Sequence, residues 1–119
     1  KTMPNMSFAI TPNQFKNRTK FVTRRNGWRK IKIGVIHNAV NKGMGLKRGE
    51  HPVIFGQFIP VSSRWEPLRR MIDEREYGLQ EVILEGFPDL TPEQFVEMYC
   101  RHNKCTPEKE VNRIEIKYV

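Results

Sequence analysis

Apolar positions along this chain come in short alternating stretches, not in long waves. Ser7-Phe8-Ala9-Ile10 is a brief apolar run that reads as a strand. Thr11-Pro12-Asn13-Gln14 follows, with a threonine cap, proline at the first helical position and glutamine three residues after the cap. That capping box predicts a short helix over Pro12–Asn17. The same device at Thr91-Pro92-Glu93-Gln94 predicts a longer helix over 92–102, with Phe95, Met98, Tyr99 and His102 along one face. The shared cap has no internal repeat behind it.

Between the two caps the pattern changes several times. Residues 18–30 are basic and irregular, interrupted by Asn26-Gly27. Ile31–Val40 reads as a strand broken near Gly34, and the glycine-rich segment Asn41–Pro52 as a loop. Val53–Trp65 is rich in β-formers, with Gly56 and Pro60 at bulge or edge positions. Glu66–Leu84 has helical spacing, with Gly78 expected to split it. Gly86–Asp89 is a break and Asn103–Glu110 a loop. In Val111–Val119, Ile114, Ile116 and Tyr118 alternate with Glu115 and Lys117, as in a half-buried closing strand. The sum is a single α+β domain over residues 6–119, a small β-barrel flanked by short helices, with residues 1–5 set apart as a disordered lead.

Composition narrows the class. The 119 residues are 38% hydrophobic and 29% charged, which suits one folded domain and excludes a disordered or collagen-like chain. The longest apolar runs, such as Val82-Ile83-Leu84, have three residues, far short of the roughly 18 of a membrane span. Two cysteines are too few for a disulfide scaffold, so a reducing cytoplasm is the expected compartment.

Charge changes the picture most. The first 49 residues hold 12 Lys/Arg and no acid, while the rest hold 9 Lys/Arg and all 13 acids, for a net charge of +8. Such asymmetry points to a polyanionic partner, against the plainer reading of a solvated basic face.

Three segments carry candidate chemistry. In Lys20-Phe21-Val22-Thr23-Arg24-Arg25, an extended chain puts Thr23 and Arg25 on one face. A lysine beside a threonine hydroxyl can act as a base once burial lowers its pKa, and Arg25 offers a planar fork for phosphate. Spacing alone equally fits a basic strand. Glu85 ends an apolar run just before Gly86, where partial burial would suit it to acid/base work; an ordinary helix-end glutamate is the alternative. At the unfavourable end of a helix dipole it calls for a compensating partner. The loop with Lys42, Lys47 and Arg48 could hold phosphates on freed backbone amides, or be a solvated hairpin; it matches no Walker A or dinucleotide fingerprint. Trp28, set among Asn26, Gly27, Arg29 and Lys30, is the aromatic best placed to stack a base. Cys100, His102 and Cys105 lack the tight paired spacing of a zinc site, so no metal is expected, and Cys100 fits better as a core position. No cofactor is implied.

Taken together, these segments resemble the ASCH family of the PUA-like superfamily, across nearly the whole chain from Met6 to Val119. Arg18-Thr19-Lys20-Phe21-Val22-Thr23-Arg24-Arg25 is similar to the family's Gly-x-Lys-Thr-x-Thr-x-Arg element. Lys32-Ile33-Gly34-Val35 looks like its Lys-x-Gly-Asp turn, and Glu85-Gly86-Phe87 and the capped helix follow in order. The Lys42–Glu50 loop looks like a phage or prophage subgroup. Phe21 and Val35 depart from the family pattern and bear on the substrate more than on the fold.

The resemblance implies a barrel beside a basic cleft lined by Lys20, Thr23, Arg25 and Glu85 that binds RNA or a nucleotide-like ligand; the basic first half of the chain supplies the positive surface, chiefly Arg18, Lys20, Arg24, Arg25, Arg29 and Lys30. It also implies an alternative, an amidohydrolase acting on a modified nucleoside such as 4-acetylcytidine. In that role Thr23 is the nucleophile, Lys20 its activator, Glu85 the proton shuttle and Arg25 an anchor. A ribonuclease using the same cleft and a protein-interaction adaptor are further readings.

Overall fold

The computed structural model describes residues 3–43 and 45–119; Lys1, Thr2 and Met44 of the glycine-rich loop lie outside the described residues. A five-stranded mixed sheet is built from β1 (Asn5–Ser7), β2 (Val22–Arg25), β3 (His37–Val40), β4 (Ile54–Pro67) and β5 (Glu110–Tyr118), in the order β1-β3-β4-β5-β2. Only β1 and β3 run parallel; every other pair is antiparallel. Among the described residues four helices complete the α+β fold: α1 (Pro12–Lys16), α2 (Arg70–Asp73), α3 (Arg75–Leu84) and α4 (Pro92–Asn103).

β4 is the spine. Its first part pairs with β3, and from Phe58 onward it pairs with β5 as far as Pro67 opposite Glu110. The register shifts at Pro60, which has no N–H to give the ladder, as its position in the sequence suggested. The long pairing with β5 makes Glu66 a strand residue, not the first residue of a helix as expected. The helical stretch then breaks at Glu74, not at Gly78. Gly78 sits inside α3 because a Cβ there would overlap the Met71 carbonyl and crowd Pro92. The glycine is a close-packing residue, not a hinge.

Two other expectations change. The first strand is Asn5–Ser7 rather than 7–10, so the ordered sheet starts at Asn5, inside the segment set apart. Phe8 still donates to the Val40 carbonyl, and a turn follows. Residues 31–36 are not strand: Ile31 bonds back to Trp28 and Val35 to Lys32 through turns, with Gly34 at φ 82°, and only His37–Val40 joins the sheet.

The interior is in two parts. Met6, Phe8, Phe15, Ala39, Phe58, Ile114 and Ile116 pack α1 onto the sheet. Leu68, Met71, Val82, Phe95, Val96, Tyr99 and Val111 pack α2–α4 against the far end of β4 and β5. A buried polar group including Lys20, Thr23, Arg24, Glu66, Glu81 and Glu85 accompanies them. The ladder does not close: β1 and β2 are the sheet edges, and a side-chain bond from Arg25 Nη1 to the Ser7 carbonyl, 2.6 Å, links them instead. Among the described residues, no helix is long and apolar enough to cross a membrane.

Candidate functional site

A cavity of about 200 Å³ is lined by Ser7–Thr11 on one side and by Lys20, Thr23, Arg24 and Arg25 on the other. Glu85 and Phe87 border it, and α4 supplies the wall with Phe95, Met98, Tyr99 and His102. These four are the stripe read from the sequence as one helix face; that face looks into a cavity. α4 is held by the predicted capping box, in which the Thr91 hydroxyl accepts from Gln94 N–H and the Gln94 side chain accepts from Thr91 N–H.

Local folding brings Glu85 to Lys20. Phe21 N–H donates to the Leu84 carbonyl (2.7 Å), docking the end of α3 onto the chain entering β2. Gly86 then takes φ +95°, a conformation that favours glycine, and a Cβ there would press on Gln14. With the turn that tight, Lys20 Nζ donates to Glu85 Oε1 at 2.7 Å and to the Glu85 carbonyl at 3.0 Å. The ammonium thus meets both a carboxylate and the negative end of a helix. Burial pushes the Lys20 amine below its ordinary pKa, with Glu85 opposing.

Arg24 completes the Glu85 pair and ties it to a larger network. Its Nη1 donates to Glu85 Oε2 (3.0 Å), and its Nη2 to Glu81 (2.6 Å), Glu66 (3.1 Å) and the Tyr77 hydroxyl (3.2 Å). Arg113 clasps Glu81 with two bonds, and Arg64, Arg70 and the Tyr77 hydroxyl donate to Glu66. Burial disfavours the Arg24 charge, but Glu85 and Glu81 outweigh it and raise its pKa. Burial likewise works against the Glu66 carboxylate, but the hydrogen bonds from Tyr77 and the arginines hold it down at about 2. Arg24 therefore borders the cavity as part of its frame, not as the free surface cation expected of it.

Thr23 and Arg25 lie on the opposite face of β2. Arg25 Nε donates to Thr23 Oγ1 at 2.9 Å, and its guanidinium lies 4.8 Å from the centre of the Phe8 ring. Burial lowers the Arg25 pKa to about 10, with Glu85 opposing, so it stays charged at neutral pH. Lys20, Thr23 and Glu85, read from separate parts of the chain, share one cavity. Among the described residues, however, Lys20 bonds Glu85 and not Thr23, whose hydroxyl is held by Arg25.

The other expected ligand residues lie elsewhere. Arg18 donates to the Val119 carbonyl beside the Tyr118 ring. Trp28 packs on the first core and against buried His37 instead of standing free, and Arg29 lies over the Trp65 ring at 4.5 Å. Lys30, Lys42, Lys47 and Arg48 do not line the cavity; Lys42 lies 3.8 Å from Glu50. Cys100 and Cys105 pack against the second core, and no three potential metal ligands cluster among the described residues.

Glu66, Glu81 and Arg113 were not singled out from sequence. Glu81 and Glu85 carried a signal: two acids four apart on one helix repel unless a cation joins them. Compared with known proteins, the chain matches no family model, no curated protein and no solved structure.

Proposed function

We propose that this chain is a PUA-like ASCH domain of the cytosol that seats a base of RNA, or a nucleotide-like ligand, in the cavity between β1 and β2. One observation supports this most: the cavity joins a cationic floor of Lys20 and Arg25 to an apolar wall of Phe87, Phe95, Met98 and Tyr99. A flat heterocycle with polar edges fits that division, since its faces favour aromatic neighbours and its edges need donors and acceptors. On this reading the open ladder is a barrel whose last seam is left to the ligand. The exposed cations Arg18, Arg29, Lys30, Lys47 and Arg48 supply the field that draws a phosphate chain in. Affinity for a short RNA should fall steeply as salt rises from about 50 to about 300 mM. An affinity that ignores salt sinks the electrostatic part of this reading.

That Lys20, Thr23 and Glu85 line one cavity favours a second reading, hydrolysis of an acylated cytidine. Thr23 Oγ attacks the acyl carbon, and its proton leaves through the Lys20–Glu85 pair to the departing cytidine amine. Water, activated by Glu85, then cleaves the acyl-threonine ester, releasing a carboxylic acid and restoring Thr23. Lys20, engaged by Glu85, contributes positive charge toward the oxyanion. Lys20→Ala, Thr23→Ala and Glu85→Gln should each cut release of cytidine by about 100-fold or more while the circular dichroism spectrum is kept. Full turnover in all three variants rejects the assignment.

A further inference from the structure

Among the described residues, one cation of the cavity has no carboxylate in contact. Glu85 is the carboxylate in its lining, and both of its oxygens are taken, Oε1 by Lys20 and Oε2 by Arg24. Among the described residues, no carboxylate lies within ion-pair distance of Arg25. The Arg25 guanidinium is nevertheless fixed on three sides. Nε is bonded to Thr23 Oγ1, Nη1 to the Ser7 carbonyl, and Phe8 covers one face. A guanidinium carries five N–H donors. Two are engaged here, which leaves the Nη2 pair and one Nη1 hydrogen without a protein acceptor among the described residues. A guanidinium with donors left on both terminal nitrogens can bind a phosphate through two bonds.

We propose that Arg25 is an anion seat and that the ligand of this cavity carries a phosphate bonded to it, so that a nucleotide is preferred to the bare nucleoside. This deepens the nucleobase reading above and rests on it for the other half of the ligand. A half-buried cation with no carboxylate in contact is partly stripped of water, and a bound phosphate offsets that cost. A guanidinium already held by Thr23 and Ser7 loses little freedom when the phosphate arrives. The β1 and β2 side of the cavity favours phosphate over a neutral group, because the first 49 residues hold no acid. Two sources fit, a free mononucleotide and the phosphodiester of an RNA chain.

The test is a set of titrations of the full chain with cytidine, cytidine 5′-monophosphate, phenyl phosphate and a short RNA, followed by tryptophan fluorescence or calorimetry. The wild type should bind the monophosphate about tenfold or more tighter than cytidine. In Arg25→Gln that ratio should fall to about one, and Arg25→Lys, which keeps the charge but not the fork, should fall between. A wild-type ratio of one, or a ratio untouched by Arg25→Gln, overturns the seat. In case Arg25→Gln folds poorly, the wild type alone gives a second readout. Its ratio should shrink as salt rises, and a constant ratio counts against the seat. Arg25-dependent binding of phenyl phosphate with no binding of cytidine keeps the seat and removes the nucleobase reading. Saturable binding of cytidine with no gain from the phosphate does the reverse. If RNA shares the dependence on Arg25, the phosphate belongs to a chain; if only the monophosphate does, it belongs to a free nucleotide.

Discussion

Arg24 and Arg25 are neighbours on β2, and the alternation of the strand sends them to opposite environments. On the Arg24 side, three buried carboxylates converge, from β4, from α3 and from the residue that follows α3, and the guanidinium is wholly enclosed. On the Arg25 side there is a cavity, a hydroxyl, a carbonyl and an aromatic ring, but among the described residues no carboxylate in contact. The same residue type is a structural tie on one face and an unfilled binding group on the other. Sequence position does not tell them apart; the elements packed on each face do.

The sharpest way to break this comparison is to remove each guanidinium in turn. Arg24→Met leaves Glu66, Glu81 and Glu85 short of a buried partner, and such losses cost about 3–5 kcal/mol. Arg25→Met removes two hydrogen bonds whose acceptors face a cavity open to water, so the cost should be about 1 kcal/mol. Chemical denaturation of both variants checks the order. Equal losses would mean that Arg25 is as much a part of the frame as Arg24.

Gly86→Ala tests the turn on which both faces depend. The left-handed backbone is strained by any Cβ, and this one must displace Gln14, so about 2 kcal/mol should be lost. Because the turn aims Glu85 at Lys20, substrate turnover or ligand affinity should fall as well. Stability lost with function intact would separate the turn from the site.

Much of this arrangement was legible in the sequence, and the exceptions have identifiable causes. The two Thr-Pro-x-Gln segments look alike, yet only Thr91 forms its capping box. Thr11 N–H already donates to the Phe8 carbonyl (3.2 Å), so the reciprocal bond from Gln14 has no donor to take, and the Thr11 side chain makes no capping bond. Lys20, Thr23 and Glu85 could be named because a polar group beside a glycine or within a basic run is conspicuous. Glu66 and Glu81 could not. An acid in a helical or amphipathic pattern reads as solvated, and only tertiary pairing places it against Arg24 and Arg113. The barrel was inferred from several short strands, but whether edges meet is decided by spacing across the fold, which local pattern does not encode.

The mildest perturbation, acid, separates the two faces without removing any side chain. Glu66 has an ordinary pKa of 4.5 and is held down at about 2 in the folded protein, while burial works the other way. The unfolded chain therefore takes up this proton before the folded one does. A carboxylate depressed in this way stabilises the fold fully above its unfolded pKa, and the contribution is lost as pH falls through 4.5 toward 2. Glu81, also lowered against its burial through the bonds from Arg113 and Arg24, adds to the same limb. Among the described residues the Arg25 side has no contacting carboxylate to protonate, so acid should leave it charged and in place. Stability measured by denaturant titration should decline as pH falls from about 5 to about 2. Glu66→Gln should flatten part of that decline, and Arg25→Met should leave its slope unchanged. A slope altered by Arg25→Met and not by Glu66→Gln would place the titrating network on the cavity face of β2 and undo the distinction between the two arginines.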